Sequence, residues 1–256
     1  GLEAFHQKEL GFGPGRLLTF RLTPAESRYP TDTDLERFYG SLLERLGDLP
    51  GVLGIGAIDD LTLTGADSRA LLLLEGSSAT PSGSSTSIRA VSPGYFAALG
   101  VPVLEGRGVA LEDGAVERPV AVVNQAWVRR WSPGRSPLGT ELSLGASGPR
   151  RQVVGVVRDY YEVRLDRPIE PVVYLPGAQS SRRSRSIAMR VAADPRGQTE
   201  AAWKALRELD PETAAYATQP MTELVDRQAW VFKTMGFLLT TLAALGLLLS
   251  IAGIYS

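Results

Sequence analysis

Hydrophobic and polar positions alternate over Leu17 to Leu22, where Leu18, Phe20 and Leu22 are set against Thr19 and Arg21. That is the period of a half-buried strand. The period then changes: Leu35, Phe38, Tyr39, Leu42, Leu43 and Leu46 recur at helical spacing and predict an amphipathic helix. Thr33-Asp-Leu-Glu36 offers a capping box at its start and Gly47 a left-handed cap at its end. Pro50-Gly51 turns the chain into a second apolar strand, Val52 to Ile58. The same grammar returns far downstream. Ser186 to Val191 reads as a strand with Ile187, Met189 and Val191 on one face, and Asp194-Pro195 as a cap with a first-turn proline. Ala201, Ala202, Ala205, Leu206 and Leu209 mark a helix face, and Ala214 to Thr218 a weaker strand. Two such strand–helix–strand units predict an α+β fold. They read as the two halves of a ferredoxin-like subdomain, with a β-rich α+β subdomain inserted between them.

Within the insert, Ser77 to Ser87 is a Gly/Ser/Thr/Pro tract, read as a flexible loop. Strands are expected at Ile88 to Val91, Val101 to Leu104, Pro119 to Val123, Gln152 to Val157 and Pro171 to Leu175. Short helices are expected from Pro93 to Leu99, stopped by Gly100, and from Gln125 to Trp131. Beyond Pro220 the spacing is helical again, with Met221, Leu224, Val225, Phe232 and Met235 on one face and Glu223, Asp226, Arg227 and Lys233 elsewhere. From Thr234 to Ser256 no residue is charged, and the run is almost wholly apolar. A bilayer core takes roughly 20 such residues in a helix. No proline interrupts Met221 to Ser256, so a stalk can run straight into a membrane span as one helix ~50 Å long. The expected divisions are 1–60, a flank and the first half of the ferredoxin-like subdomain; 61–184, the insert; 185–220, the second half of that subdomain; and 221–256, stalk and span. Both ends read as cuts in a longer polypeptide.

Composition narrows the chemistry. The chain of 256 residues has 27 Lys+Arg and 28 Asp+Glu, a formal net charge of -1. That balance argues against a nucleic-acid partner. There are 0 cysteines, which removes disulfides, thiol catalysis and cysteine-ligated metals. The single histidine, His6, lies in the N-terminal flank, so neither a Ser-His-Asp triad nor a histidine metal cluster is available within the domain. Gly11-Phe-Gly-Pro-Gly15 precedes a strand rather than a helix, so it reads as a turn and not a phosphate cradle. Arg182, Arg183, Arg185 and Arg190 could face anionic head groups or an acidic partner; interleaved serines and missing aromatics favour a solvated hairpin tip. Asp59-Asp60, Glu112-Asp113 and Asp159 lack metal-loop spacing and read as loop and cap residues. No catalytic residue, metal ligand or cofactor is expected. Gly246, Ser250 and Gly253 place small residues on one stripe of the span, a surface for helix–helix packing in lipid.

The ordered motifs carry a resemblance. Ala90-Val-Ser-Pro-Gly-Tyr-Phe-Ala-Ala-Leu-Gly-Val-Pro-Val-Leu-Glu-Gly-Arg107 resembles the central motif of the periplasmic core domain in MacB/FtsX-like ABC transporter permeases. Gly11-Phe12, Leu49-Pro50-Gly51-Val52, Pro119-Val-Ala-Val-Val-Asn124, Pro137-Leu-Gly139 and Val153-Val-Gly-Val-Val-Arg-Asp159 follow in the expected order, and Leu247 to Tyr255 resembles the start of an FtsX-like membrane domain. The style is similar to that of acidobacterial duplicated orphan permeases. The resemblance implies a porter-like part made of the two strand–helix–strand units, with the insert between them, and scaffold roles for Pro93, Gly94, Tyr95, Phe96, Gly106, Arg107, Asn124 and Gly155. Pro93 and Gly94 would start a helix tightly, Tyr95 and Phe96 supply aromatic core, and Gly106 permit a turn.

It further implies a non-catalytic permease subunit of the bacterial inner (plasma) membrane, with residues 1–220 extracytoplasmic. A span would precede the domain and three follow it. Implied partners are a separate cytoplasmic ABC ATPase, a second permease copy (homodimer or duplicated half) and membrane lipid, with a periplasmic adaptor and outer-membrane channel as further candidates. The expected activity is transmission of ATP-driven motion to the periplasm for efflux or release of substrate. Two other readings stand beside it: a membrane-anchored sensor or ligand-binding domain, and a tethered hydrolase, the latter disfavoured by the missing histidine and cysteine.

Overall fold

Two strand–helix–strand units, distant in sequence, interleave to build one half of the molecule. The computed structural model describes residues 10–74, 84–114, 119–180, 182–230 and 240–241. The first unit is β1 (Leu17–Leu22), α1 (Asp32–Gly47) and β2 (Val52–Ile58). The second is β10 (Arg185–Val191), α4 (Thr199–Leu209) and β11 (Ala215–Pro220). β1 and β2 both run antiparallel to β10, and β11 antiparallel to β1, giving the order β11-β1-β10-β2. Each unit thus straddles a strand of the other, the interleaving of a split βαβ pair. α1 and α4 cover one face. Leu35, Phe38, Tyr39, Leu42 and Leu46 pack there on Leu18, Phe20, Leu22, Ile187, Met189 and Val191.

Between the units lie β3 (Arg69–Leu74), β4 (Ser85–Val91), α2 (Tyr95–Leu99), β5 (Val103–Gly106), β6 (Val120–Asn124), α3 (Gln125–Trp131), β7 (Glu141–Leu144), β8 (Arg151–Val157) and β9 (Val172–Pro176). The insert is not a separate sheet, because Ile58 of β2 pairs with Val91 of β4 and continues the ladder. β4 also pairs in parallel with β9, from Ser87↔Val172 to Val91↔Pro176. The path β4-β3-β7-β8-β6-β9 therefore closes on itself as a six-stranded ring, which removes free edges from those strands. Leu72, Val123, Leu142, Val153 and Val173 fill one core of the ring, with Trp127 of α3 packed into it.

Several expectations are corrected. β1 is not half-buried: Leu17 and Thr19 are as buried as Leu18 and Phe20, because α1 and α4 cover one face and a second core, around Phe12, Tyr95 and Tyr160, covers the other. The cap of α1 is Thr31, which accepts from the Asp34 N–H, rather than Thr33. Gly47 stays within the helix. Its C-cap is Asp48 in right-handed conformation, and the left-handed residue is Gly51 at φ 85°. β5 begins at Val103, two residues late. β4 begins inside the supposed flexible tract, at Ser85, with Thr86 and Ser87 buried; residues 77–83 of that tract lie outside the described residues. β3 and β7 have no counterpart in the sequence-based expectation.

Residues 221–230 form a further helix, here α5, which bears Met221, Leu224 and Val225 inward. Among the described residues no helix is long and apolar enough to cross a membrane. Of the expected span only residues 240–241 are described; Gly246, Ser250 and Gly253 lie outside the described residues, as do Phe232 and Met235.

Candidate functional site

The chemistry of the chain is concentrated where the split sheet meets the ring. Ser92, after β4, starts this joint: its hydroxyl accepts from the Ala57 N–H at 2.8 Å, and its own N–H donates to the Ala57 carbonyl. Pro93 follows, and Gly94 caps α2 at φ 81°. A side chain at Gly94 would stand 2.8 Å from the Ile55 carbonyl oxygen, so only glycine brings α2 this close to β2. Tyr95 is fully buried and its hydroxyl meets Thr62 Oγ1 at 3.1 Å. Phe96 meets Tyr174 edge-on, centroids 4.9 Å apart.

Further along the motif, β5 and β8 touch backbone to backbone. A Cβ on Gly155 would lie 1.8 Å from the Arg107 carbonyl oxygen, and one on Gly106 lies 2.1 Å from that of Val154. Arg107 grips Asp113 with both terminal nitrogens, at 2.6 and 2.7 Å. Burial pushes the Asp113 carboxyl up, but this grip and the Ala110 N–H outweigh it and hold the group below the usual range. Asn124, wholly buried, caps α3 through the Trp127 N–H and also takes the Val172 N–H, both at 3.0 Å. Its amide donates to the Glu170 carbonyl at 2.8 Å. One side chain thereby fixes α3 and β9 together. Asp159 accepts from the Ala126 N–H at 2.8 Å and from Arg129 at 2.6 Å. Asp59 accepts from the Ala90 and Asp60 N–H groups.

A buried charge pair missing from the sequence reading stands at the centre. Arg89 on β4 and Glu162 after β8 are nearly inaccessible, with Arg89 Nε and Glu162 Oε2 3.4 Å apart. Arg89 also donates to the Ile88 and Ala66 carbonyls at 2.8 Å, and Tyr174 donates to Glu162 at 2.6 Å. Arg89 Nε, Glu162 Oε2 and the neighbouring Tyr160 hydroxyl make no hydrogen bond among the described residues. Burial raises the Glu162 carboxyl above its ordinary value, and the attraction of Arg89 only partly opposes it. Burial likewise pushes the hydroxyls of Tyr160 and Tyr174 up, reinforced by the Glu162 charge. Arg89 itself is disfavoured by burial, yet Glu162, Asp59 and Asp60 keep its guanidinium firmly charged.

The basic patch is not a solvated hairpin tip. Arg185 is buried against Tyr39, 4.5 Å from the ring centroid, and pairs with Glu36. Arg190 ties β10 to the Ala98, Gly13 and Gly15 carbonyls. Arg182 reaches Asp60 at 2.8 Å and Arg183 the Tyr29 carbonyl at 2.7 Å. Strand parity carried the signal for one of them, since Arg185 shares the inward face of Ile187, Met189 and Val191. Beside Arg185, α1 and the segments around Leu111 and Ala178 enclose an open groove of about 600 Å³. Leu43, Pro93, Val109 and Leu111 give it apolar walls, and Leu111 is 85% exposed. Among the described residues no group of three or more acidic or histidine side chains is placed to hold a metal ion.

No curated protein matches this chain. Among solved structures, the periplasmic region of MacB from Actinobacillus actinomycetemcomitans superposes with a TM-score of 0.55 at 12% identity, covering 89% of this chain and 97% of that one. The extracellular domain of the noncanonic ABC-type transporter YknZ from Gram-positive bacteria gives 0.47 at 14% identity, over 79% and 97%. A domain of a permease protein from Porphyromonas gingivalis gives 0.48 at 14%, over 82% and 92%. The first of these likenesses shows a shared mixed α+β fold. The family profile for the MacB-like periplasmic core domain matches residues 10–209, and the chain belongs to that family of ABC transporter permease domains.

Proposed function

We propose that this chain is the extracytoplasmic portion of an ABC-type export permease. It receives motion generated by a separate cytoplasmic ATPase and passes it to the periplasmic side for efflux or release of a substrate. It performs no catalysis of its own. One observation carries the reading: the chain leaves β11 directly into α5, whose Met221, Leu224 and Val225 enter the core shared by the split sheet and the ring. The uncharged run from Thr234 follows a few residues later. A displacement of a membrane helix continuous with α5 would reach a packed joint rather than a loose linker, and close-packed interiors transmit displacement. Anchorage in the inner membrane, a second permease copy, and an adaptor with an outer-membrane channel belong to the same proposal. The test is the intact permease reconstituted with its ATPase. Nucleotide trapping should alter hydrogen exchange in α5, and an α5 that exchanges identically with and without trapped nucleotide would defeat the reading.

The groove beside Arg185 favours a second reading, a ligand-binding or sensor domain, because concave apolar sites with few polar groups are where small ligands bind. That reading predicts protection of Leu43 and Leu111 by an added apolar ligand, without any dependence on nucleotide.

A further inference from the structure

The loops entering and leaving the buried charge pair are stitched together by backbone hydrogen bonds. The Leu63 N–H donates to the Glu162 carbonyl at 2.7 Å, and the Gly65 N–H to the Val163 carbonyl at 3.2 Å. Two groups at the end of this short ladder, the Leu63 carbonyl and the Leu165 N–H, have no backbone partner among the described residues. Gln228 of α5 takes both. Its Nε2 donates to the Leu63 carbonyl at 2.5 Å, and its Oε1 accepts from the Leu165 N–H at 3.0 Å. A side-chain amide here completes a ladder as a peptide group would, with donor and acceptor in one plane.

Leu63 adds a second, independent observation. It is buried, 2% exposed, yet holds φ 65°, the left-handed region that a residue with a Cβ avoids. Such a conformation persists where its surroundings over-determine it. Its N–H is held by Glu162 and its carbonyl by Gln228. From α5 an unbroken series of contacts therefore runs through Gln228, Leu63 and Glu162 to Arg89 on β4 and Tyr174 on β9. Both strands belong to the closed ring. The route avoids the sheet β11-β1-β10-β2, although α5 follows β11 directly in the chain.

We propose that Gln228 is the positioning residue that couples α5 to the ring, and that motion of α5 reaches the ring through this amide rather than through β11. The proposal deepens the transmission reading and rests on it. Substitution by Ala removes both bonds, whereas Gln228→Glu keeps the acceptor for Leu165 and loses the donor for Leu63.

The experiment uses the intact permease with its ATPase in lipid nanodiscs and follows amide hydrogen exchange. Without nucleotide, Gln228→Ala should speed exchange at Leu165 by about five- to tenfold, the worth of one hydrogen bond. Gln228→Glu should leave Leu165 protected. With nucleotide trapped, wild type should change exchange at residues 61–65 and 160–165 as well as in α5. Gln228→Ala should keep the α5 change and lose that in the two loops, while its unfolding midpoint stays close to wild type. Loops that respond equally in wild type and Gln228→Ala would overturn the coupling role and leave the transmission reading standing. An α5 that never responds would defeat transmission and the coupling role with it. Unaltered Leu165 exchange in Gln228→Ala would overturn the contact on which the coupling is built.

Discussion

The split sheet and the joint handle buried carboxylates in opposite ways. In the split sheet half, Asp210 is wholly buried, and its oxygens meet the Thr213 hydroxyl at 2.6 Å, the Tyr29 hydroxyl and the Glu212 N–H at 3.1 Å, and Arg28 at 3.4 Å. Burial pushes that carboxyl up, but the hydrogen bonds outweigh it and keep it below its ordinary value. In the joint, Glu162 has one strong hydrogen bond, from Tyr174, while its other oxygen faces Arg89 Nε at 3.4 Å, with Tyr160 beside it. There burial prevails. A satisfied network rigidifies its surroundings, whereas a partly satisfied one is held against a standing electrostatic penalty. The sheet half is thus built to stay as it is. The joint holds its charge pair against that penalty.

The largest expected effect breaks the pair itself. Arg89→Met leaves the Glu162 carboxylate buried without its counter-charge, and loss of one partner in such a pair costs about 3–5 kcal/mol. Removing both charges, in Arg89→Met with Glu162→Leu, should return most of that loss. A volume-conserving change in the apolar core over the sheet, Leu42→Met, should cost less than ~1.5 kcal/mol. Denaturant unfolding of the variants measures all of these. A double variant no more stable than Arg89→Met alone would show that the penalty lies in packing rather than charge. Next in size comes Gly155→Ala, whose methyl would lie 1.8 Å from the Arg107 carbonyl oxygen. β5 and β8 must then separate, at about 3 kcal/mol, and exchange should rise along Val103–Gly106.

The same division shows only in part in what could be read from the sequence. The sheet half is made of segments whose burial repeats locally. β1 and β2 fall on their expected residues, and α1 and α4 bury the faces their periodicity marks. The cap of α1 slipped by two residues because Thr31-Asp-Thr33-Asp offers two overlapping frames, and local pattern does not choose between them. In the ring, β6, β8 and β9 also fall within one residue of expectation, but local pattern does not reveal the pairings that close it, such as Ser87 with Val172. β7 has four residues and β3 a run of leucines without alternation, so neither announces itself. Among the motif positions, a glycine or asparagine could be read as scaffold. The partners that make each one necessary (Ile55 for Gly94, Arg107 for Gly155, Val172 for Asn124) come only from the tertiary structure. Glu162 and Gln228 had no signal, since an isolated polar residue in a loop or on a helix looks solvated until its neighbours are known.

Acidity sharpens the comparison with a smaller effect. For Glu162 the folded carboxyl titrates above its ordinary 4.5, so the folded state binds the proton more tightly than the unfolded chain. Its contribution to stability is then greatest below 4.5 and is lost as pH rises through the raised folded value. For Asp210 the folded carboxyl titrates below its ordinary 3.8. Its contribution is present above that value and is lost as pH falls through the lowered one. Each slope is bounded by about 1.4 kcal/mol per pH unit for a single group. Glu162→Gln should therefore flatten stability against pH on the alkaline side of 4.5, and Asp210→Asn should flatten it on the acid side of 3.8. Two variants that flatten the same limb would contradict the opposite placement of these carboxyls.

The smallest effect tests whether the sheet half is energetically separate from the joint. Thr31 caps α1 by accepting the Asp34 N–H at 3.1 Å, and its hydroxyl donates to Asp34 at 2.6 Å. Thr31→Ala should cost about 1 kcal/mol, whereas Thr33→Ala, at an exposed position outside the cap, should stay within ~0.5 kcal/mol. The lost energy should be read as faster exchange in the first turn of α1 alone. Sites without shared partners contribute additively, so combining Thr31→Ala with Arg89→Met should give the sum of the two losses. A combined loss that departs from the sum by more than ~0.5 kcal/mol would mean that strain in α1 reaches Arg89. The obvious route would be Glu36 of α1, paired with Arg185 on β10, and the sheet half would then be energetically coupled to the joint.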